Sequence, residues 1–253
     1  MFISLVFGFV SVYAGYGMSF DTRGGHNKKE IDEEFFDSWS PNMAYILGLI
    51  YADGSLIDVR KSSRTQYFSI SSCDKCLLIK VKSALKSNHK ISIRKAKMIF
   101  IKGKEYLRSD HYRLRVGSKK MYKSLISRGL STKKSLTMKF PSMPNEYLSY
   151  FLRGYFDGDG CVYIRNFENT KSRLCVIFTS GSLDFLISLK EIFSDKFIVF
   201  GGGIYHGIGA YRLRYEKIDG IRILKYLYQN IELAPFLDRK YTKFQEFLYK
   251  EGL

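Results

Sequence analysis

Two stretches of the chain nearly repeat each other: residues 46–54 read ILGLIYADG, and residues 152–160 read LRGYFDGDG. Each is typical of an apolar helix that ends at Asp-Gly. The aspartate then lies at the negative end of the helix dipole, where a further negative charge is unfavourable unless a cation is bound beside it. Because the arrangement occurs twice, it indicates a paired cation site at Asp53 and Asp159.

Small residues precede both aspartates at helical spacing. They lie four residues apart in each copy, and so on one helix face: Gly48 and Ala52, then Gly154 and Gly158. Small side chains on one face allow two helix backbones to approach closely. We therefore expect the two helices to cross at these four residues and to bring their C-terminal ends together.

The two stretches resemble the LAGLIDADG motif of homing endonucleases, in the form that carries two motifs in one chain. The resemblance extends from about Trp39 to the C-terminus. It implies an α+β fold in which two pseudo-twofold-related αββαββα repeats form a saddle of two antiparallel sheets. It also implies a monomer that serves intron homing by cleaving both DNA strands across the minor groove at a long, specific site.

The apolar periodicity gives the order αββαββα twice. Ser40 and Pro41 begin the first helix. In the first half, the pattern then predicts strands at 55–60 and 66–72, a helix at 74–86, strands at 90–97 and 106–116, and a helix at 119–128. In the second half, it predicts a helix through 156, strands at 161–167 and 172–179, a helix at 182–193, two strands and closing helices. We divide the chain into an N-terminal extension (1–38), a first repeat (39–141) and a second repeat (142–253).

The charge balance favours a polyanionic partner. The chain has 41 lysines and arginines against 24 aspartates and glutamates, a formal net charge of +17. Each phosphate that a basic side chain neutralises releases condensed counterions. A hydrophobic fraction of 45% excludes a disordered basic tail, so the charges lie on a folded surface. We expect double-stranded DNA as the partner, with intron RNA as an additional one.

The first residues are harder to interpret. Residues 2–16 are apolar and uncharged, like the middle of a signal peptide, but no basic residue precedes them and several glycines interrupt them. The stretch is too short and too interrupted for a membrane span, so no membrane partner is expected. We interpret it as an upstream extension with Met18 as an alternative start, a targeting segment being the other interpretation.

The cysteines predict free thiols. Four cysteines do not make a disulfide framework at this length, and the pair Cys73 and Cys76 has no second CxxC or histidine pair at zinc-ligand spacing. A metal or redox role for this pair is the less favoured interpretation. We expect an intracellular, reducing compartment, either a bacterial cytoplasm or an organelle matrix.

The paired aspartates favour metal-assisted hydrolysis. Two close carboxylates repel each other without a cation, whereas Mg²⁺ prefers oxygen ligands and keeps waters, one of which can act as the nucleophile. We predict Asp53 and Asp159 as catalytic metal ligands and place Ala52 and Gly158 in the same site. The expected cofactor is Mg²⁺, as two or three divalent ions, with Ca²⁺ or Mn²⁺ able to substitute. The alternative is that each aspartate only initiates a turn before glycine.

A basic residue beside the reacting phosphate would stabilise its developing charge. Lys134 and Lys240 each follow the aspartate of their repeat by 81 residues, and we predict both as catalytic. Their neighbours Lys133 and Arg239 match each other equally well and are the alternatives.

The sixth motif position differs between the copies, with Tyr51 in the first and Asp157 in the second. On a helix this position lies well off the line of the eighth. We therefore leave Asp157 out of the catalytic set and expect it to cap or pair locally.

Strand parity predicts the surface that contacts DNA. On each strand alternate residues face the core, and the others face outward, toward the major groove. The outward set is Ile57, Val59, Lys61, Ser69, Ser71, Arg113 and Arg115 in the first repeat, and Tyr163, Arg165, Phe167, Arg173, Cys175, Ile177, Thr179, Arg212 and Arg214 in the second.

These features favour a site-specific homing endonuclease that makes a double-strand break by Mg²⁺-dependent phosphodiester hydrolysis. An RNA maturase or a non-catalytic DNA-binding protein of the same fold is the alternative. Because both aspartates are present, the sequence favours the nuclease, although a maturase can keep its acids.

Overall fold

The computed structural model describes residues 29–253 except 64, 102, 133, 168–169 and 198; side chains at 62–63, 101, 134–135, 166–167, 170–171 and 197 are also not described. The first repeat contains α1 (Pro41–Asp53), β1 (Gly54–Asp58), α2 (Arg60–Ser63), β2 (Gln66–Ser72), α3 (Lys75–Ala84), β3 (Ile91–Arg94), β4 (Lys97–Ile101), β5 (Lys104–Arg108), β6 (His111–Gly117), α4 (Lys119–Ser127) and α5 (Lys134–Thr137). The second contains α6 (Leu148–Asp159), β7 (Gly160–Phe167), β8 (Thr170–Ser180), α7 (Leu183–Phe197), β9 (Gly203–Gly207), β10 (Ala210–Glu216), α8 (Lys217–Leu227) and α9 (Asp238–Glu251), with 3-10 turns at Asn145–Tyr147 and Ile231–Leu233.

The two repeats build sheets of the same topology. The first has the strand order β1-β2-β6-β3 and the second β7-β8-β10-β9. Every neighbouring pair in both sheets is antiparallel. Each repeat therefore follows the order αββαββα, and the predicted α+β fold with two antiparallel sheets is confirmed. In the part of the chain described, the first repeat adds α2 and a separate two-stranded hairpin, β4–β5.

The hairpin corrects the prediction of two long strands at 90–97 and 106–116. The carboxylate of Asp110 accepts hydrogen bonds from the backbone N–H of Ala96 at 2.6 Å and from Lys95 Nζ at 3.4 Å. This clamp separates the β3–β6 ladder from the β4–β5 ladder, and Gly103, with φ of 75°, lies in the turn between β4 and β5. Residues 98–101 read MIFI, four apolar residues in succession, so the alternation of polar and apolar residues stops there, and the prediction of two long strands did not use this signal.

Helix α1 begins as the sequence predicts. The hydroxyl of Ser40 accepts a hydrogen bond from the backbone N–H of Met43, and Pro41 occupies the first turn. All residues from Met43 to Tyr51 are buried, because the helix packs against α6 and against the sheet of its own repeat. An apolar surface on every side is typical of a helix in the centre of a core.

The crossing of α1 and α6 depends on two glycines. A Cβ built on Gly48 would lie 2.0 Å from the carbonyl oxygen of Phe151, and one built on Gly154 would lie 1.9 Å from that of Tyr45. The two contacts are reciprocal. Phe151 is the counterpart of Tyr45 in the second repeat, and Gly154 is the counterpart of Gly48. The helices therefore meet backbone to backbone about a pseudo-twofold axis.

The described part of the N-terminal extension packs on the first repeat. Phe36 is fully buried and contacts the ring of Phe68 edge-on, with centroids 5.9 Å apart. The backbone N–H of Asp32 donates to the carbonyl of Leu85 at 3.1 Å. Residues 1–28, including Met18, lie outside the described residues. Within those described, no helix combines the length and apolar character needed to cross a membrane.

Replacing either crossing glycine by alanine should destabilise the protein, because the added methyl must push the two backbones apart. We expect Gly48→Ala and Gly154→Ala each to lower the free energy of unfolding by about 1–3 kcal/mol, the usual cost of overpacking. Urea denaturation followed by circular dichroism measures the change. Gly117→Ala is the matched control, because a Cβ there would meet nothing closer than Thr65 Cγ2 at 3.7 Å. Wild-type stability of both crossing variants would contradict the interpretation.

Candidate active site and nucleic-acid interface

Asp53 and Asp159 occupy equivalent positions in the two repeats. Each is the last residue of its motif helix, and the following glycine begins a strand. The N–H of Gly54 donates to the carbonyl of Ile50, and the N–H of Gly160 donates to that of Phe156. The chain thus passes directly from helix to sheet, with one carboxylate at each junction.

The crossing of the helices places the two junctions side by side. A Cβ built on Gly158, the residue before Asp159, would lie 3.3 Å from Asp53 Oδ2. Burial is the main cause of a raised pKa at Tyr155, and the negative charges of Asp159 and Asp53 raise it further. Both carboxylates therefore act on one hydroxyl, which donates to the carbonyl of Thr179 at 2.6 Å.

The donor set fits a hard divalent cation. Ala52 lies against Gly158, so the residues predicted for the metal site are brought together. Across the described ranges no group of three or more histidine, cysteine or acidic residues could hold a metal ion. Two carboxylates, one from each repeat, are oxygen ligands of the kind that a hard divalent cation prefers.

Lys240 belongs to α9, and its side chain reaches the C-terminal end of α6. Its buried ammonium donates to the carbonyls of Phe156, Asp157 (3.0 Å) and Gly160, so all three of its N–H donors are used. The positive charge offsets the negative end of the helix dipole close to Asp159. Burial lowers the pKa of Lys240 to about 8, while the charge of Asp157 opposes this shift. Its catalytic role stays a prediction; the observed contacts are those of a helix cap.

The other predicted basic residues are placed differently. Arg239, the alternative to Lys240, points to the first repeat, where its Nε donates to Asp74 Oδ2 at 3.0 Å. Lys134 begins α5, but its side chain is not described, and Lys133 lies outside the described residues. Of the two whose side chains are described, the structure places Lys240 next to a motif aspartate, at the carbonyl of Gly160.

Asp157 pairs across the molecule, so the expectation of a local partner is wrong. Its buried carboxylate accepts from the hydroxyl of Tyr45 and from the backbone N–H of Leu237, both at 2.8 Å, and from the hydroxyl of Tyr228 at 3.5 Å. These partners lie in α1 and in the segments on either side of the second 3-10 turn. Tyr51 at the equivalent position donates to the carbonyl of Arg128 at 2.8 Å. Each sixth position thus fixes the chain beyond the last strand of its own repeat.

The outward faces of the two sheets contain most of the predicted DNA-contacting residues. In the register, Ser71 lies opposite Arg113, Arg212 lies opposite Thr179, and Arg214 lies opposite Ile177. Arg113, Arg115, Arg165 and Arg212 are exposed, and the half-buried members are Ile57, Ser71, Tyr163, Arg173, Ile177, Thr179 and Arg214; Val59 is also half-buried but follows the end of β1 and lies outside the sheet. The arginines among them form a basic stripe on each sheet.

Four predicted contacts need correction or lie outside the description. Ser69 is 5% exposed, because its hydroxyl bonds to that of Ser55 at 2.9 Å, and Cys175 is fully buried. Lys61 is exposed but lies on α2, because the Asp58 carboxylate accepts from Arg60 and turns the chain out of the sheet. The side chain of Phe167 is not described.

The register adds outward residues that the sequence did not reveal. Arg94 lies opposite His111 on the edge of the first sheet, and Tyr205 lies opposite Arg212 on the second. The pairing of β3 and β9 decides these positions, and parity along one strand does not indicate which strand lies beside it.

Comparison with known proteins identifies part of this arrangement. Residues 146–199 match the family model of the LAGLIDADG-like domain. The matched segment contains α6 with its aspartate, β7, β8 and α7. No curated protein matches the chain.

Solved structures extend the likeness to both repeats. The chain is similar to the meganuclease I-SmaMI bound to uncleavable DNA, with a TM-score of 0.52 and 16% identity over 83% of this chain and 89% of that chain. It is similar to the LAGLIDADG homing endonuclease I-GzeII in complex with its DNA target, with a TM-score of 0.52 and 16% identity over 83% of this chain and 89% of that chain. It is also similar to the LAGLIDADG meganuclease I-CpaMI bound to uncleaved DNA, with a TM-score of 0.50 and 17% identity over 85% of this chain and 93% of that chain. These likenesses establish the single-chain, two-repeat fold.

The Asp157 network predicts a pH dependence of stability. Burial raises the pKa of Asp157 from 3.8 to about 6, although Lys240 and the Tyr45 hydroxyl oppose the shift. The folded chain therefore holds this proton more tightly than the unfolded chain. The resulting stabilisation is complete below a pH of about 4 and is lost as pH rises through about 6.

Asp157→Asn removes the titration and keeps the shape. The free energy of unfolding of the wild type minus that of the variant should fall by up to about 3 kcal/mol between pH 4 and pH 7, the equivalent of about two pKa units. Urea denaturation at several pH values measures it. A difference that stays constant with pH would show that the carboxyl does not titrate in this range.

Proposed function

We propose that this protein is a site-specific DNA endonuclease that makes a double-strand break in a long target by Mg²⁺-dependent phosphodiester hydrolysis. The observation that carries the proposal is the pair of aspartates at the ends of the two crossing helices, one from each repeat, at the junction with the two basic sheets. The similarity to meganucleases solved with DNA supports it.

The site residues would bind divalent ions and orient the reaction on the two DNA strands. Divalent ions held at Asp53 and Asp159, with Ala52 and Gly158 beside them, would supply an activated water and neutralise charge on the scissile phosphate. Asp53 and Asp159 each orient the reaction on one DNA strand, so one monomer cuts both strands. Lys240 holds the last turn of α6 and adds positive charge next to this site.

The sheets provide recognition. Arginine presents paired donors that match the edge of guanine or a phosphate, and Arg113, Arg115 and Arg212 are exposed on the outward faces. The two faces carry different residues at matching positions, so the target need not be palindromic.

We also propose the biological setting that the family resemblance implies, which is spread of the intron that encodes the protein. A reducing compartment suits the chain, because Cys73, Cys76, Cys161 and Cys175 are all free thiols. A maturase or a simple DNA-binding protein would use the same surfaces without cleavage, and the following experiment separates these functions.

Replacing either aspartate should abolish double-strand cleavage while DNA binding persists. In Asp53→Asn and Asp159→Asn, we expect the rate of double-strand cleavage in Mg²⁺ to fall at least about 1000-fold, because a metal ligand is removed. Cleavage of a supercoiled plasmid carrying a site selected from a randomised library measures the rate. Affinity in Ca²⁺, measured by fluorescence anisotropy, should stay within about threefold of the wild type.

Asp184→Asn is the control, because Asp184 is exposed on α7 and its replacement changes the net charge equally. Full double-strand cleavage by either motif variant would overturn the catalytic assignment. A wild-type protein that binds the selected site but never cleaves it would support the non-catalytic alternative.

The arginine stripes predict the salt dependence of binding. Arg113→Ala and Arg212→Ala should each weaken DNA binding and reduce the slope of log K against log salt by about 0.9 for every phosphate that is no longer neutralised. Lys225→Ala on α8 is the control with the same charge change, because α8 packs on the core face of the second sheet. Equal slopes for the three variants would argue against a role of the stripes in binding.

A further inference from the structure

The first repeat carries an inserted hairpin that the second repeat lacks. Strands β4 and β5 interrupt the connection from β3 to β6, whereas β9 and β10 are joined by the tight turn Ile208-Gly209. The two motif aspartates sit at equivalent places, but the two sheets differ in how far their edge ribbons extend. The hairpin is not needed for the catalytic arrangement described above.

The hairpin has one basic face. Lys97 lies opposite Arg108, Ile99 lies opposite Tyr106, and Lys104 continues the row on the same face. Lys97, Lys104 and Arg108 are exposed, and no ion pair joins any of them to another described residue. The acidic Glu105 lies on the opposite face.

Packing does not explain the hairpin. On the opposite face Phe100 is 72% exposed and Leu107 is 71% exposed, so neither contributes to the core. An isolated two-stranded hairpin is marginally stable in water. A surface that combines unpaired cations with exposed aromatic rings such as Tyr106 is suited to phosphates and bases.

The cations of the hairpin continue those of the first sheet. The positive charges of Arg94, Arg108 and Arg113 all act on His111, which lies at the start of β6. Together with burial, the larger cause, they lower the pKa of His111. One of these arginines belongs to the hairpin and two belong to the sheet, so cations of both act on the same side chain, while Asp110 at the junction is paired with Lys95.

We propose that the β4–β5 hairpin binds duplex DNA beyond the end of the first sheet, so that the target extends further on the side of the first repeat than on the side of the second. The proposal rests on the DNA-cleaving function proposed above. A strand of five residues is about 17 Å long, which spans up to about five base pairs.

The test uses the full chain and two variants in which the same number of positive charges is removed. The first is the triple variant Lys97→Ala, Lys104→Ala, Arg108→Ala. The control is the triple variant Lys119→Ala, Lys123→Ala, Lys225→Ala, whose lysines are exposed on α4 and α8. The probe is a 40-base-pair duplex selected for cleavage from a randomised library, together with versions shortened by five base pairs at either end.

Binding in Ca²⁺ and hydroxyl-radical footprints should separate the variants. We expect the hairpin variant to bind the full duplex at least about tenfold more weakly than the control, with a salt slope lower by up to about 2.7 because three phosphates are no longer neutralised. Its footprint should contract at one end only. Shortening that end should weaken binding by the wild type and leave the affinity of the hairpin variant unchanged.

Several outcomes would overturn the proposal. A hairpin variant with the wild-type footprint and affinity would do so while the endonuclease function stands. Reduced affinity for RNA, with unchanged affinity for DNA, would assign the hairpin to an RNA partner instead. A wild-type chain that binds no duplex from the library would remove both proposals. If the triple variant fails to fold, a chain in which Asn-Gly replaces residues 97–108 gives the same readouts.

Discussion

The close contact between the backbones of α1 and α6 is the constraint on which the rest of the structure depends. Gly48 and Gly154 leave no side chain between the helices, so each carbonyl partner lies where a methyl group would stand. This approach fixes the distance between the C-terminal helix ends, and with it the distance between the two aspartates. The sheets start at the next residue, so their placement relative to each other follows from the same contact.

The meeting of the two helix ends is electrostatically unfavourable, and a nearby positive charge stabilises it. Two helices end with their negative dipole ends and two carboxylates in one place. In the second repeat, the ammonium of Lys240 neutralises part of that charge through three backbone carbonyls. The buried Asp157 in turn holds Leu237, near the start of the helix that carries Lys240. The buried charges of Asp157 and Lys240 therefore lie within a few residues of the motif aspartate Asp159.

Much of the architecture could be predicted because the motif recurs. The small residues, the aspartates and the helix start at Ser40 depend on local spacing, which is readable in a sequence. The interruption at Asp110, the burial of Cys175 and the partners of Asp157 depend on side chains brought together from distant positions. No periodicity encodes such contacts, and strand parity gives a face without giving its neighbours. The hairpin at 97–108 is different, because the apolar run 98–101 and Gly103 are local signals of a hairpin that the prediction of two long strands did not use.

The polar network around Asp157 contains residues of both repeats, so each repeat depends on the other to complete it. The hydroxyl that Asp157 accepts from across the repeats belongs to Tyr45, and the residue equivalent to Tyr45 in the second repeat is Phe151, which has no hydroxyl. In a homodimer of second repeats, neither of the two buried carboxylates would have this donor. In a homodimer of first repeats, tyrosines would replace both carboxylates. The duplicated halves have therefore become complementary partners, and separating them into symmetric dimers would require the interface to be redesigned.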